Sequence, residues 1–130
     1  MAKWQRRRAA EPSITERKSF VAPTGTAWVT LEHAGNSVDY TLRTVGEFDV
    51  ETVSCLHDAL RVIPQTRSGR TIIDVSQVGF GDSSFLEALI RAHFQERTLI
   101  LAGPLPPELR RLLQLTGALR MFHIEPHEVS

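Results

Sequence analysis

The sequence predicts a single α/β domain on a mixed β-sheet, with elements in the approximate order ββαβαβαβ, and three observations predict it. Apolar and polar residues alternate over 27–32 and 40–45, the period of half-buried strands. A β-branched run, Thr71-Ile72-Ile73-Asp74-Val75, has the composition of a strand covered on both faces. Between and after these runs, apolar residues return at three- and four-residue steps, the period of helices that pack by one side. At 130 residues, 42% hydrophobic and 23% charged, the chain is long enough for one core and too short for two.

Each element has its own signal. Residues 1–24 mix basic residues with Pro12, Pro23 and small polar residues without an apolar period, and read as a mobile basic arm ahead of a domain over 25–130. Ala27, Val29 and Leu31 then share one face of a strand, Gly35-Asn36 supplies a turn, and Tyr40, Leu42 and Thr44 share one face of a second strand, so a hairpin opens the fold. Val53, Leu56, Leu60 and Ile63 form a helical stripe that Pro64 ends. Ser68-Gly69 marks a loop before the central strand at 71–75, and a further loop is expected over Ser76–Gly81. Leu86, Leu89, Ile90 and Phe94 give the second helix, and 98–102 a short buried strand. Leu109, Leu112, Leu113 and Thr116 give a third helix ended by Gly117, a residue suited to the left-handed C-terminal position. Met121–Ile124 adds an edge strand.

Formal net charge is zero, which removes the electrostatic argument for nucleic acid as a direct partner. The distribution is uneven: residues 1–20 carry +4 and the remainder −4. The triplet Arg6-Arg7-Arg8 reads as a solvating feature of the arm. A lone Cys55 cannot form an internal disulfide, and no stretch has the length and apolarity of a membrane span, so a cytoplasmic protein is expected.

Four segments in order carry a family likeness. Gly46-Glu47-Phe48-Asp49, Ile72-Ile73-Asp74-Val75-Ser76, Asp82-Ser83-Ser84, and Leu115-Thr116-Gly117 followed by Met121-Phe122 resemble the signature of the STAS domain, the fold of bacterial anti-sigma-factor antagonists. The likeness spans roughly residues 27–125. It implies a non-enzymatic binding protein whose serine after the switch aspartate, here Ser83, is phosphorylated by a partner that is both anti-sigma factor and serine kinase. A serine phosphatase then restores it. The partner-binding set implied is Asp82, Ser83, Ser84, Phe85, Glu47 and Asp49, with no cofactor and no metal; a homodimer is compatible with it. The implied setting is bacterial transcription regulation under stress.

The residues give this likeness a chemistry. A phosphate at the start of the second helix would add about −1.5 to −2 charges where the helix dipole favours negative charge by about 0.3–1 kcal/mol. Asp82 and an acidic partner surface would oppose that charge, so phosphorylation can release a partner by repulsion without a change of fold. Ser84 followed by Glu87 fits a Ser-x-x-Glu capping box and is assigned to capping. Asp82 is divided between loop stabilisation and partner recognition, and Asp49 caps the first helix by the same resemblance. Phe85 stands where the family commonly has glycine: facing inward it is core, and projecting beside Ser83 it is an interface anchor or an obstacle to the kinase.

Other constellations are weaker. His123 and His127 are four apart with Glu125 between them, but Pro126 breaks the helical face that such a metal pair needs. His57 and His93 read as semi-buried packing residues, and Cys55 as buried packing. No Gly-rich phosphate loop is present, so ATP belongs to the partner, and neither Ser83 nor Ser84 has the glycine pattern of a hydrolase nucleophile. The alternative to a switched antagonist is an unphosphorylated STAS subunit of a stress-signalling scaffold or lipid-transport complex.

Overall fold

The computed structural model describes residues 15–64, 69–95 and 98–125; the Arg6–Arg8 triplet, Ser68, Pro126 and His127 lie outside them. The elements are β1 (Thr15–Val21), β2 (Ala27–Ala34), β3 (Tyr40–Phe48), α1 (Ser54–Arg61), β4 (Thr71–Gly81), α2 (Ser83–Gln95), β5 (Leu99–Ala102), α3 (Pro107–Thr116), a 3-10 turn at Ala118–Arg120, and β6 (His123–Glu125). One six-stranded sheet runs in the order β1-β2-β3-β4-β5-β6. Its first three strands are antiparallel, and β3 through β6 are parallel, each parallel step crossing through a helix.

The pleat decides what the sheet buries. Leu31, Leu42, Ile73 and Leu101 are register partners across β2, β3, β4 and β5, so their side chains form one row on one face. Against that face pack Leu56, Ala59 and Leu60 of α1, Phe85, Leu86, Ala88, Leu89 and Ala92 of α2, and Leu109 and Leu113 of α3, in a single core cluster. The opposite face carries an ion-paired ladder. Arg17 on β1 pairs with Glu32 on β2 at 3.2 Å, Glu32 with Arg43 on β3 at 3.2 Å, and Arg43 with the nearly buried Asp74 on β4 at 2.9 Å.

The hairpin falls where alternation placed it, with Ala27 opposite Gly46 and Leu31 opposite Leu42. The first strand does not. Thr15–Val21, placed within the arm on sequence, is paired along its whole length with β2. Glu16 through Ser19 are exposed and Phe20 packs against the core, so backbone pairing at a sheet edge orders the segment without any apolar period to announce it.

β4 also runs past its expected end, since the segment read as a loop at Ser76–Gly81 stays paired with β3 through Gln77, Val78, Phe80 and Gly81. Register shifts between Arg43 and Val45 and between Gly46 and Glu47 mark irregularities of the bulge kind, which break the period-2 signal without ending the strand. Asp74 stabilises the first of them. Its Oδ1 accepts from the backbone N–H of Ser76 at 3.0 Å and from the Ser76 hydroxyl at 2.7 Å, while the Thr44 hydroxyl donates to the Asp74 carbonyl at 2.8 Å. The extended β4 delivers Phe80 and Gly81 to the rim of the sheet beside Glu47 and Phe48.

In α2 the buried stripe is Phe85, Leu86, Ala88, Leu89 and Ala92, whereas Phe94, counted in the stripe on sequence, is 72% exposed. Phe85 supplies the bulk from the first turn instead. In α3, Gly117 takes φ 78° after Thr116 and ends the helix as the sequence predicts.

Candidate partner-binding groove

The C-terminal ends of β3 and β4 lie side by side, Glu47 opposite Phe80 and Phe48 opposite Gly81. The Asp82 N–H donates to the Phe48 carbonyl at 3.1 Å, tying the loop that enters α2 to the end of β3. α3 packs against β4 close by. Between them opens a groove of about 330 Å³, lined by Phe80, Gly81, Asp82 and Ser83 on one wall and by Glu108, Arg111, Leu112 and Leu115 on the other. Phe80 is 47% exposed and Leu115 76%, so the groove offers apolar surface to solvent beside charged groups.

Ser83 is the first residue of α2 and is exposed. Its hydroxyl has no hydrogen-bond partner among the described residues, because the capping is done by its neighbour. Asp82 Oδ1 accepts from the N–H of Ser84 at 2.8 Å and of Phe85 at 3.4 Å, and the Asp82 carbonyl accepts from the N–H of Leu86 at 3.0 Å. The capping box assigned to Ser84 and Glu87 is therefore displaced by two residues: the helix starts before Ser84, which sits half-buried in its first turn.

Phe85 is buried at 0% exposure, its ring 4.9 Å from that of Phe48. It therefore leaves the partner-binding set. A Cβ at Gly81 would lie 2.7 Å from the Phe85 ring, so the glycine just before Asp82 makes room for this aromatic side chain. Glu47 is exposed at the rim beside Phe80. Asp49 caps the turn that leads into α1, its Oδ1 accepting from the N–H groups of Glu51 and Thr52 at 2.9 and 3.0 Å.

The structure thus brings Asp82, Ser83 and Glu47 together at one rim. It adds Phe80, Arg111, Leu112 and Leu115, which the sequence reading did not select. Phe80 was lost inside the presumed loop. Leu112 and Leu115 had a signal: they sit three apart, offset from the buried Leu109 and Leu113, as a second apolar stripe on the same helix would.

Outside the groove, Cys55 is buried and its thiol donates to the Thr52 carbonyl at 3.1 Å, and burial pushes its pKa up. His93 packs edge-on against Phe94 and Phe122. His57 sits in a cleft between α1 and α2 with Arg61 and Arg91, and burial followed by those two cations holds it below its ordinary 6.5, against Asp58 and Glu87. The unfolded chain then binds the His57 proton more readily than the folded one, so this contribution to stability is present above pH 6.5 and is lost as pH falls from 6.5 through the lower folded value. His57→Gln is expected to flatten the fall in melting temperature between about pH 7 and pH 5; thermal melts with an unchanged slope would show the imidazole contributes none of it.

A family model described as "Mlab, STAS domain" matches residues 31–123. No curated protein matches the chain. Among solved structures, one described as an anti-sigma factor antagonist from Mycobacterium paratuberculosis superposes with a TM-score of 0.65 at 23% sequence identity, over 80% of this chain and 88% of that one. At that identity the likeness carries the fold.

Proposed function

The chain belongs to the STAS domain family, and from that premise we propose that it acts as an anti-sigma-factor antagonist: it binds an anti-sigma factor with serine kinase activity through the Phe80–Leu115 groove, and phosphorylation of Ser83 ends the association. The observation that carries this reading is the exposed Ser83 hydroxyl, relieved of capping by Asp82 and set at the edge of a groove with exposed apolar residues. A kinase reaches such a hydroxyl without unfolding the helix start. The partner supplies ATP, and a serine phosphatase returns the protein to its binding form.

Apolar Phe80, Leu112 and Leu115 suit a partner's apolar anchor, and Ser83 stands at the edge of that surface. A phosphate on Ser83 would place a dianion beside that anchor, costly to desolvate on docking and repelled by an acidic partner surface. Ser83→Asp is expected to weaken capture of the kinase by at least about tenfold, and Ser83→Ala to retain it. Equal capture of both variants in a pull-down would overturn the switch. Incubation with the kinase and ATP, followed by mass spectrometric mapping, should place phosphate on Ser83.

A second reading draws on Phe85, which stands where the family commonly has glycine: an unphosphorylated subunit of a signalling scaffold or lipid-transport complex, docked by the same groove. It is distinguished by stoichiometric co-purification with such an assembly and by equal incorporation of Ser83→Ala and Ser83→Asp.

A further inference from the structure

We propose that Arg111, on the α3 wall of the groove, captures the phosphate carried by Ser83 and draws it across the groove, so that phosphorylation occludes the docking surface from within; this rests on the switch reading above. In the modification step the γ-phosphoryl of ATP bonds to Ser83 Oγ as its bond to ADP breaks, and the hydroxyl proton leaves to base or solvent. The question is what then holds the dianion.

Most of the donors at the helix start are already engaged. The N–H groups of Ser84, Phe85 and Leu86 are all directed at acceptors of Asp82. The charged groups around the site are Asp82 in the loop, Glu47 at the end of β3, and Glu108 and Arg111 on α3. Of the residues lining the groove, Arg111 alone is cationic. It is exposed and forms no ion pair among the described residues, Glu108 one turn before it included. Its guanidinium offers paired donors that match phosphate oxygens, and charge-assisted bonds of this type are short and strong.

Arg111 precedes Leu112 and lies one turn before Leu115, so closing it onto Ser83 lays its stem beside the apolar surface that a partner would use. Release then has two parts: acidic groups on both sides repel the partner, and the phosphate–arginine bridge covers the place where it docked.

The test uses the full chain with phosphoserine incorporated at position 83 during translation, without any kinase, so that its failure is separate from failure of the switch reading. Phosphorus NMR titrations follow the second phosphate ionisation in the otherwise native chain, in Arg111→Gln and in Arg111→Lys. With Arg111 present the ionisation is expected below its ordinary value of about 6, and in Arg111→Gln at least about half a unit higher, since Asp82 and Glu108 then dominate. Arg111→Lys should fall between the two. Identical titrations for native Arg111 and Arg111→Gln would overturn the capture, whatever kinase is later found to act on Ser83.

Discussion

Phe85→Ala is expected to lower the free energy of unfolding by about 3–5 kcal/mol, among the larger effects a single substitution can have. The ring is wholly buried, lies against Phe48, and fills the space that Gly81 leaves open. Its removal opens a cavity between the ends of β3 and β4 and the first turn of α2, which is the platform under Ser83. Denaturant unfolding measures the loss. The same variant separates packing from recognition: at a temperature where it stays folded, it should capture the partner about as well as the native chain, because Phe85 presents no surface to it. A loss of capture with the fold intact would return Phe85 to the interface.

Gly46→Ala carries the second large expectation, a loss of at least about 2 kcal/mol. Gly46 has φ 106°, a backbone conformation that alanine adopts only with strain. A Cβ there would also lie 2.2 Å from the Thr26 carbonyl oxygen, backbone to backbone, with no flexible side chain able to yield. The Glu47 N–H donates to that same oxygen at 3.0 Å, so the clash falls on the hydrogen bond that ties the end of β3 to the residue just before β2. Thermal unfolding should register a marked fall in melting temperature; a melt within a degree or two of the native one would mean the strands separate there at little cost.

These two positions explain why some of the protein was readable from its sequence. In Gly46-Glu47-Phe48-Asp49, glycine permits the approach of Thr26, Phe48 meets Phe85 in the core, and Asp49 caps the following turn, so three of the four residues are fixed by local geometry. Ala27, Val29, Leu31 and Leu42 were legible because one face of their strands is buried and the other is not. β1 was illegible for the opposite reason: as an exposed edge it is held by backbone bonds, which leave no mark on side-chain type. The second half of β4 was hidden by irregular register at Ser76, where the period is broken but the pairing continues.

The candidate site divides in the same way. Ser83 and Asp82 could be picked out because they lie together in the chain, but which of the neighbouring polar residues caps α2 depends on where the helix begins, and a shift of two residues moved that role from Ser84 to Asp82. Arg111, Leu112 and Leu115 belong to the groove only because a parallel crossover returns α3 beside β4. The spacing of Leu112 and Leu115 marks a second apolar stripe on α3 but not which element faces it.

The division of labour between Asp82 and Ser83 also bears on how such a protein can diversify. Because the aspartate holds the helix start, the next residue carries no structural duty among the described contacts, and exchanging it for threonine, alanine or an acidic residue costs the fold little. Under the proposed switch, a lineage could therefore gain, silence or mimic the signal at one codon while the scaffold beneath stays the same. The constraint falls instead on Asp82, which holds the helix start.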